Sequence, residues 1–326
     1  MPVTGDTLTT ETRAAVLPEV ATSADGRRTG RGRARRDRDI RRAPASKGDQ
    51  RMPLALGSTA VLLIGALYCL LPVAWVLIAS TKDAAELFST FTFAPSTHLW
   101  DNIVELTAYR DGLYWRWMLN TAIYAGIGAI ISTYVSAISG YALAKYTFAG
   151  KGVVFKVLLM GVLVPGVILA IPQYLLLAQA GLTNTYWSVL LPQLISPYGI
   201  YLARIYAAAA VPTDVVESAR TEGARELYIF HRIALPMMGP GLVTIFLFQF
   251  VAVWNNFMLP YIMLGNDELF PITVGLHGLL NQGASLPAMY TLVITGALLS
   301  VVPLIALFLV LQRYWRVDLA AGAVKA

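Results

Sequence analysis

Residues 211–236 read VPTDVVESARTEGARELYIFHRIALP, the polar exception in an otherwise apolar half of the chain. No charged residue occurs between Lys156 and Arg204 before it, between Arg232 and Asp267 after it, or between Glu268 and Arg313 further on. A helix that crosses a bilayer needs roughly 20 mostly apolar residues. The flanking runs reach that length, so 211–236 connects spans. Pro212 suits a first helical turn, and Asp214 suits the positive end of a helix dipole. Val215, Val216 and Ala219 share a face at helical spacing. Gly223 can take positive φ and close the helix. A second helical stretch is expected over 224–232, before Leu235-Pro236 and Gly239-Pro240-Gly241 break the chain. Two short helices then lie across one face of a membrane domain, and a connection this long usually has a function of its own.

Outward from this stretch the chain is apolar over most of its length. Hydrophobic residues make up 56% and charged residues 13%, against about 25% charged in soluble domains; mean hydropathy is +0.60. Leu54–Ser80 and Leu119–Ala144 are further uncharged runs. The run after Lys156 is too long for one span, and Gly181-Leu182-Thr183-Asn184-Thr185 divides it into a tight hairpin. The expected fold is all-α and polytopic, with six spans near 54–80, 118–144, 157–180, 186–205, 240–264 and 287–312. Pro165, Pro172 and Pro303 read as kinks. Tyr114-Trp115-Arg116-Trp117 reads as an interfacial aromatic anchor.

Residues 1–52 differ in kind. They hold almost no large apolar residues, and Arg27, Arg28, Arg31, Arg33, Arg35, Arg36, Arg38, Arg41 and Arg42 form a basic block. Such a segment is expected to be disordered. It reads as a solvated tail that keeps the N-terminus inside, in preference to a contact for anionic lipid or nucleic acid. With the N-terminus inside, only Lys82, Arg110 and Arg116 face out, which leaves 22 of the 25 basic residues on the cytoplasmic side. Both termini are therefore expected in the cytoplasm, the second as a short tail over 319–326.

Several chemistries are disfavoured. Cys69 is the single cysteine, and His98, His231 and His277 lack metal-ligand spacing. No catalytic residue and no metal site is expected. Gly150-Lys151-Gly152 lacks the upstream glycine and the hydroxyl residue of a phosphate loop. Every Asp and Glu lies outside the expected spans, against a membrane-embedded enzyme and against ion coupling through an intramembrane carboxylate. Asn255 and Asn256, beside Trp254 and Phe257 in the fifth span, either line a polar path or bond between helices. Gln173 and Gln249 carry the same two readings.

Glu217-Ser218-Ala219, Gly223 and Ile233-Ala234-Leu235-Pro236 resemble the EAA signature of ABC-importer permeases: Glu-Ala-Ala, three residues, Gly, nine residues, Ile-x-Leu-Pro. Ser218 for the first Ala is the one departure. Asn120-Thr121, Gly140 to Tyr146, Ile171 to Tyr174, Gly181 to Thr185, Trp254 to Phe257 and Pro271 to Leu276 extend the resemblance over 54–318. They are similar to the maltose-type carbohydrate family, on the side of its smaller permease subunit. The resemblance implies the type I importer permease fold in a bacterial cell membrane, within lipid and without nucleic acid. It implies a second homologous permease, an extracytoplasmic solute-binding protein and two ATPase subunits that carry ATP and Mg, with no cofactor bound by this chain. The loop 205–236 would couple to the ATPase through Glu217, Ser218, Ala219, Gly223, Ile233, Leu235 and Pro236. Glu217 would pair with a basic partner, and the small Ser218 and Ala219 would seat the helix in an ATPase cleft. Asn255, Asn256, Trp254, Phe257, Gln249 and Gln173 would line the sugar path. The Gly-rich segment Gly265–Gly283 would reach toward the binding protein. A polyol, glycerol phosphate or amino acid is the alternative cargo, with Trp254 to Phe257 and Pro271 to Leu276 favouring carbohydrate.

Overall fold

The computed structural model describes residues 52–323, with side chains described over 57–314. The expectations for residues 1–51, for the side chain of Arg316 and for Lys325 lie outside the described residues. The chain divides into two units, 1–64 and 65–326. Of the first, only the opening turns of one helix are described.

The described residues are mostly helical, with no strand among them. The helices are α1 (Met52–Ala79), α2 (Ala84–Ser89), α3 (Leu99–Ala108), α4 (Leu113–Lys145), α5 (Lys151–Leu163), α6 (Gly166–Gln179), α7 (Tyr186–Leu190) and α8 (Pro197–Ala210). After these come α9 (Thr213–Thr221), α10 (Glu226–Ile229), a π-helical turn (Phe230–Ala234), α11 (Leu235–Met237), α12 (Gly239–Trp254), α13 (Met258–Met263), α14 (Ile272–Gly283) and α15 (Ala288–Ala323).

In the second unit α4 is the central helix, packed on α8 and α12 and touching α3 and α14. Small residues let its backbone approach closely. A Cβ on Gly140 would fall 2.5 Å from the Ala203 Cβ of α8, the close contact that helices in lipid use in place of a hydrophobic driving force. The core forms three clusters. Tyr141, Ala203, Val216, Phe230 and Ile245 gather at the C-terminal end of α4. Tyr124, Val189, Trp254 and Met263 form the second. Tyr114, Trp117, Ile272 and Leu292 form the third, at the N-terminal end of α4.

Among the described residues the six expected spans are not all single helices. Three helical stretches are long and apolar enough to cross a membrane alone: 57–79, 99–145 and 288–314. Two bent pairs raise the number to five: α5 with α6 at 104°, and 226–237 with α12 at 80°. The expected fourth span is divided among α7, a 3-10 turn at Leu191–Gln193 and α8, with Pro192 and Pro197 at the joints. Proline lacks the N–H that a helix interior needs and crowds the preceding turn. Of the expected kinks, Pro165 sits at a break, whereas Pro172 and Pro303 lie inside α6 and α15. The fifth span is divided as well, since α12 stops at Trp254 and α13 starts at Met258. The last helix continues to Ala323, through most of the expected C-terminal tail.

One further expectation is corrected at the N-terminal end of α4. Tyr114 and Trp117 are buried, so only Trp115 of the three aromatic residues is exposed. Tyr114 donates to Gly296 O and the Trp117 indole to Asp267 O. The segment Gly265–Gly283 is mostly the helix α14, and a Cβ on Gly275 would meet the Trp117 ring at 2.2 Å. Gly275 and Gly283 serve close packing, whereas the space beside Gly278 is open.

Candidate functional site

The C-terminal end of α4 carries the segment whose sequence is most specific. Pro212 has extended φ/ψ and opens α9 with Asp214 in its first turn. Val216 and Ala219 are the buried residues of α9. Val215, expected beside them, is exposed. Gly223 closes the helix at φ 85°, with Gly223 N bonded to Arg220 O at 2.9 Å and Ala224 N to Ala219 O at 3.0 Å. That pair of bonds is the Schellman arrangement, which requires a left-handed residue.

Two side-chain ties, through Tyr146 and Tyr134, hold the segment to the bundle, and a third closes it on itself. Arg220 donates to both Glu226 oxygens, at 2.6 and 3.2 Å. The Tyr146 hydroxyl, one residue beyond α4, donates to Glu226 Oε2 at 2.8 Å. The Arg220 guanidinium and then the Tyr146 hydroxyl hold the Glu226 carboxyl below the usual carboxylate range. His231 Nδ1–H donates to Leu227 O and Nε2 accepts from Tyr134 of α4, each at 2.8 Å. Pro236 does not end the second helix as expected. The π-helical turn precedes it and Leu235 N bonds to Phe230 O, five residues back. This wider turn accommodates the missing N–H, and the chain bends only after Met237, where α12 begins.

The coupling residues expected from the sequence therefore separate. Glu217, Ser218 and Pro236 are exposed, Ile233 and Leu235 half-buried, and Ala219 is 8% exposed within its own chain. Ala219 is small because α9 lies against its own bundle. Ser218 is the small residue on the free side of α9.

At the other end of α4 the residues 264–272 are fastened by side chains distant in sequence. Asn120 Nδ2 donates to Glu268 O at 2.7 Å and Phe270 O at 3.0 Å, while Asn120 Oδ1 accepts from the Tyr186 hydroxyl at 2.7 Å. Thr121 Oγ1 accepts from Ile272 N, and Tyr124 donates to Leu269 O. Asn184 Oδ1 accepts from Gly265 N and Asn266 N, each at 2.9 Å. Arg110 lies 2.6 Å from Asp267.

Between these ends, the break at residues 255–257 sends neighbouring amides to two cavities. Asn256 lines one of about 530 Å³ with Gln173 and Gln193. Its backbone carbonyl accepts from Thr273, and its side chain receives Leu259 N at 3.4 Å. Asn255 lines another of about 450 Å³ with Trp254, Phe257, Thr273 and His277. Gln249 lines neither. Its amide donates to Ser196 Oγ, which joins α12 to the start of α8. Of the six expected path residues, five border a cavity and Gln249 is a helix-to-helix bond. Sequence reasoning missed Arg220, Glu226 and Tyr146, whose signal was a charge pair six apart beside a Gly turn. It also missed Asn184 and His277.

Residues 133–316 match the family model described as "Binding-protein-dependent transport system inner membrane component". The chain is 33% identical over 257 residues to the arabinooligosaccharides transport system permease protein AraQ of Halalkalibacterium halodurans, covering 78% of this chain and 90% of that protein. It is 30% identical to the lactose transport system permease protein LacG of Rhizobium radiobacter, covering 81% and 94%. Its fold is similar to a chain of a bacterial ABC transporter involved in the import of the acidic polysaccharide alginate, with TM-score 0.72, 23% identity and coverage of 83% and 99%. A chain of the alginate transporter in complex with an alginate pentasaccharide-bound periplasmic protein aligns at TM-score 0.57 and 16% identity, covering 81% and 93%.

Proposed function

The chain belongs to the family of inner-membrane components of binding-protein-dependent transport systems, and from that premise we propose that it forms half of the translocation path of an ATP-driven carbohydrate importer. It is a multi-pass permease of the sugar-transporting branch. A second permease completes the path, an extracytoplasmic solute-binding protein delivers the sugar, and two separate ATPase subunits hold ATP and Mg. The chain itself performs no catalysis. Both termini lie in the cytoplasm, with the C-terminal end of α4.

The observation that carries the coupling role is the free face of α9. Glu217, Ser218 and Val215 are exposed on a helix whose other side is fixed to the bundle. Glu217 faces a basic residue of the ATPase, and Ser218 permits close approach. ATPase closure displaces α9. The Arg220–Glu226–Tyr146 tie passes the displacement to α4, and the π-helical turn passes it to α12. Access then alternates by population shift between two packings. Identity with the arabinooligosaccharide and lactose permeases supports a neutral oligosaccharide cargo.

The test is uptake by proteoliposomes holding the assembled transporter and its binding protein, with a panel of arabinotriose, lactose and melibiose. The expected result is ATP-dependent import of at least one panel sugar, lost when this chain is omitted. Import of an amino acid or glycerol phosphate with no panel sugar would overturn the carbohydrate assignment.

A further inference from the structure

The corner between α1 and α3 gathers titratable side chains that the transport reading does not use. Asp83 caps α2: its Oδ1 accepts from Glu86 N at 2.7 Å, and Glu86 Oε2 accepts from Asp83 N at 3.5 Å. This capping box holds both carboxylates beside one helical turn. The chain returns at His98, whose backbone N–H donates to Thr81 O at 2.9 Å. The buried Asn102 amide locks the return, donating to Ser80 O at 2.9 Å and to Lys82 O at 2.8 Å. Backbone contacts therefore fix the corner, and the imidazole is left free to face the carboxylates.

His98 Nε2 lies 4.0 Å from Asp83 Oδ2 and 3.9 Å from Glu86 Oε2. One ligand atom from each of the three residues falls within 4.8 Å of the other two. These separations are too long for hydrogen bonds. Two donors about 2.1 Å from a shared zinc ion lie roughly 3.4 Å apart at the tetrahedral angle and at most about 4.2 Å apart. Small side-chain rotations close the three on one ion.

Two further observations separate this cluster from a merely acidic surface. His98 Nδ1 lies 3.4 Å from Asp101 Oδ2. With Nδ1–H donating there, the Nε2 lone pair faces Asp83 and Glu86, the carboxylate–histidine–metal arrangement that orients a ligand from behind. The charge is also uncompensated. The buried Lys82 ammonium turns away to Thr90 Oγ1 at 2.9 Å and Phe91 O at 2.7 Å. Among the described residues, no lysine or arginine pairs with Asp83, Glu86 or Asp101, and the arginine ion pairs are those of Arg110 and Arg220.

We propose that Asp83, Glu86 and His98 form a zinc site, with Asp101 as the positioning carboxylate behind His98 and water in the fourth place. With both termini in the cytoplasm this corner faces outward, and the ion clips the start of α2 to the start of α3. Histidine spacing in the sequence gives no sign of it, because one histidine takes part and the fold supplies the two carboxylates.

The experiment measures zinc by elemental mass spectrometry on the assembled transporter, purified without a histidine tag, stripped with EDTA and dialysed against micromolar zinc without nucleotide. The parent is expected to hold one zinc ion more per copy of this chain than His98→Ala or Glu86→Gln. Glutamine still completes the capping box, so the loss in Glu86→Gln reports the ligand and not the corner. Asp101→Asn keeps the ion with an affinity about tenfold lower. Added zinc raises the melting temperature of the parent and leaves that of Glu86→Gln unchanged. Equal zinc content in the parent and both ligand variants would overturn the site. So would binding of calcium in preference to zinc, retained in His98→Ala, since an oxygen-only site has no use for the imidazole.

Discussion

The two ends of α4 are built by opposite means. At its C-terminal end the segment 211–238 is shaped by its own residues: Pro212 starts a helix, Gly223 turns the chain, and Arg220 pairs with Glu226 six positions on. At its N-terminal end the segment 264–272 has almost no such signals, and its carbonyls are held by Asn120, Trp117 and Tyr124, each more than 140 residues away. For the proposed coupling role local closure is an advantage, because it would let the element keep its shape as it moves against the bundle. A fixed wall benefits from distant bonds, because these tie the wall to the helix that carries it.

The largest effect is expected where distant bonds converge. Asn120→Leu leaves two backbone carbonyls and the Tyr186 hydroxyl without their partner. Each unsatisfied buried group costs about 1–3 kcal/mol, so the purified protein should melt several degrees lower. An unchanged melting temperature would mean that the N-terminal end is not held as described.

Ala219 and Ser218 give the next comparison. Ala219→Leu overfills a buried position, at a cost of about 1–3 kcal/mol, and should lower the melting temperature. Ser218→Leu, on the exposed side, should leave melting unchanged while uptake falls. Equal effects on both readouts would remove the division of α9 into an inner and an outer face.

Gly223→Ala is expected to cost about 1 kcal/mol, because φ 85° strains any Cβ although the space around it is open. Gly223→Asn should cost less, since asparagine tolerates the left-handed region. If alanine and asparagine proved equivalent to glycine by melting, the helix would not depend on the left-handed closure.

The smallest effect concerns pH. The Arg220 and Tyr146 contacts lower the Glu226 pKa, so their stabilisation is present above the ordinary carboxylate range. It is lost as pH falls through the lowered value. The pair is half exposed, so it contributes about 0–1 kcal/mol. The melting difference between the parent and Glu226→Gln should be constant from pH 8 to about 5 and shrink as pH falls further, through the lowered carboxyl pKa. A difference that grows on acidification would reverse the sign and contradict the tie.

What the sequence made legible follows the same division. The α9 start, the Gly223 turn and the Gly181–Thr185 turn were readable because proline, glycine and aspartate act through their own backbone. The number of unbroken spans was not, since hydrophobic run length does not distinguish one helix from two joined at Pro192 and Pro197. The Gly265–Gly283 stretch looked like a loop because its glycines, needed where Trp117 and Tyr290 pack, carry the same letter as turn glycines. The splitting of Asn255 from Asn256 depends on a three-residue break, which no periodicity reports. The burial of Ala219 against its own bundle was not legible because a small residue in a recognition motif fits either side of an interface.

The account turns on the exposed face of α9 as the point where a separate ATPase engages. The most direct measurement replaces Glu217 by lysine in the assembled transporter and follows three quantities: sugar uptake, ATPase co-purification and the amount of this chain in the membrane. The account predicts that uptake is abolished and the ATPase is lost on purification, while the membrane content and the melting temperature stay at the parent level. Uptake and ATPase retention equal to the parent would contradict it.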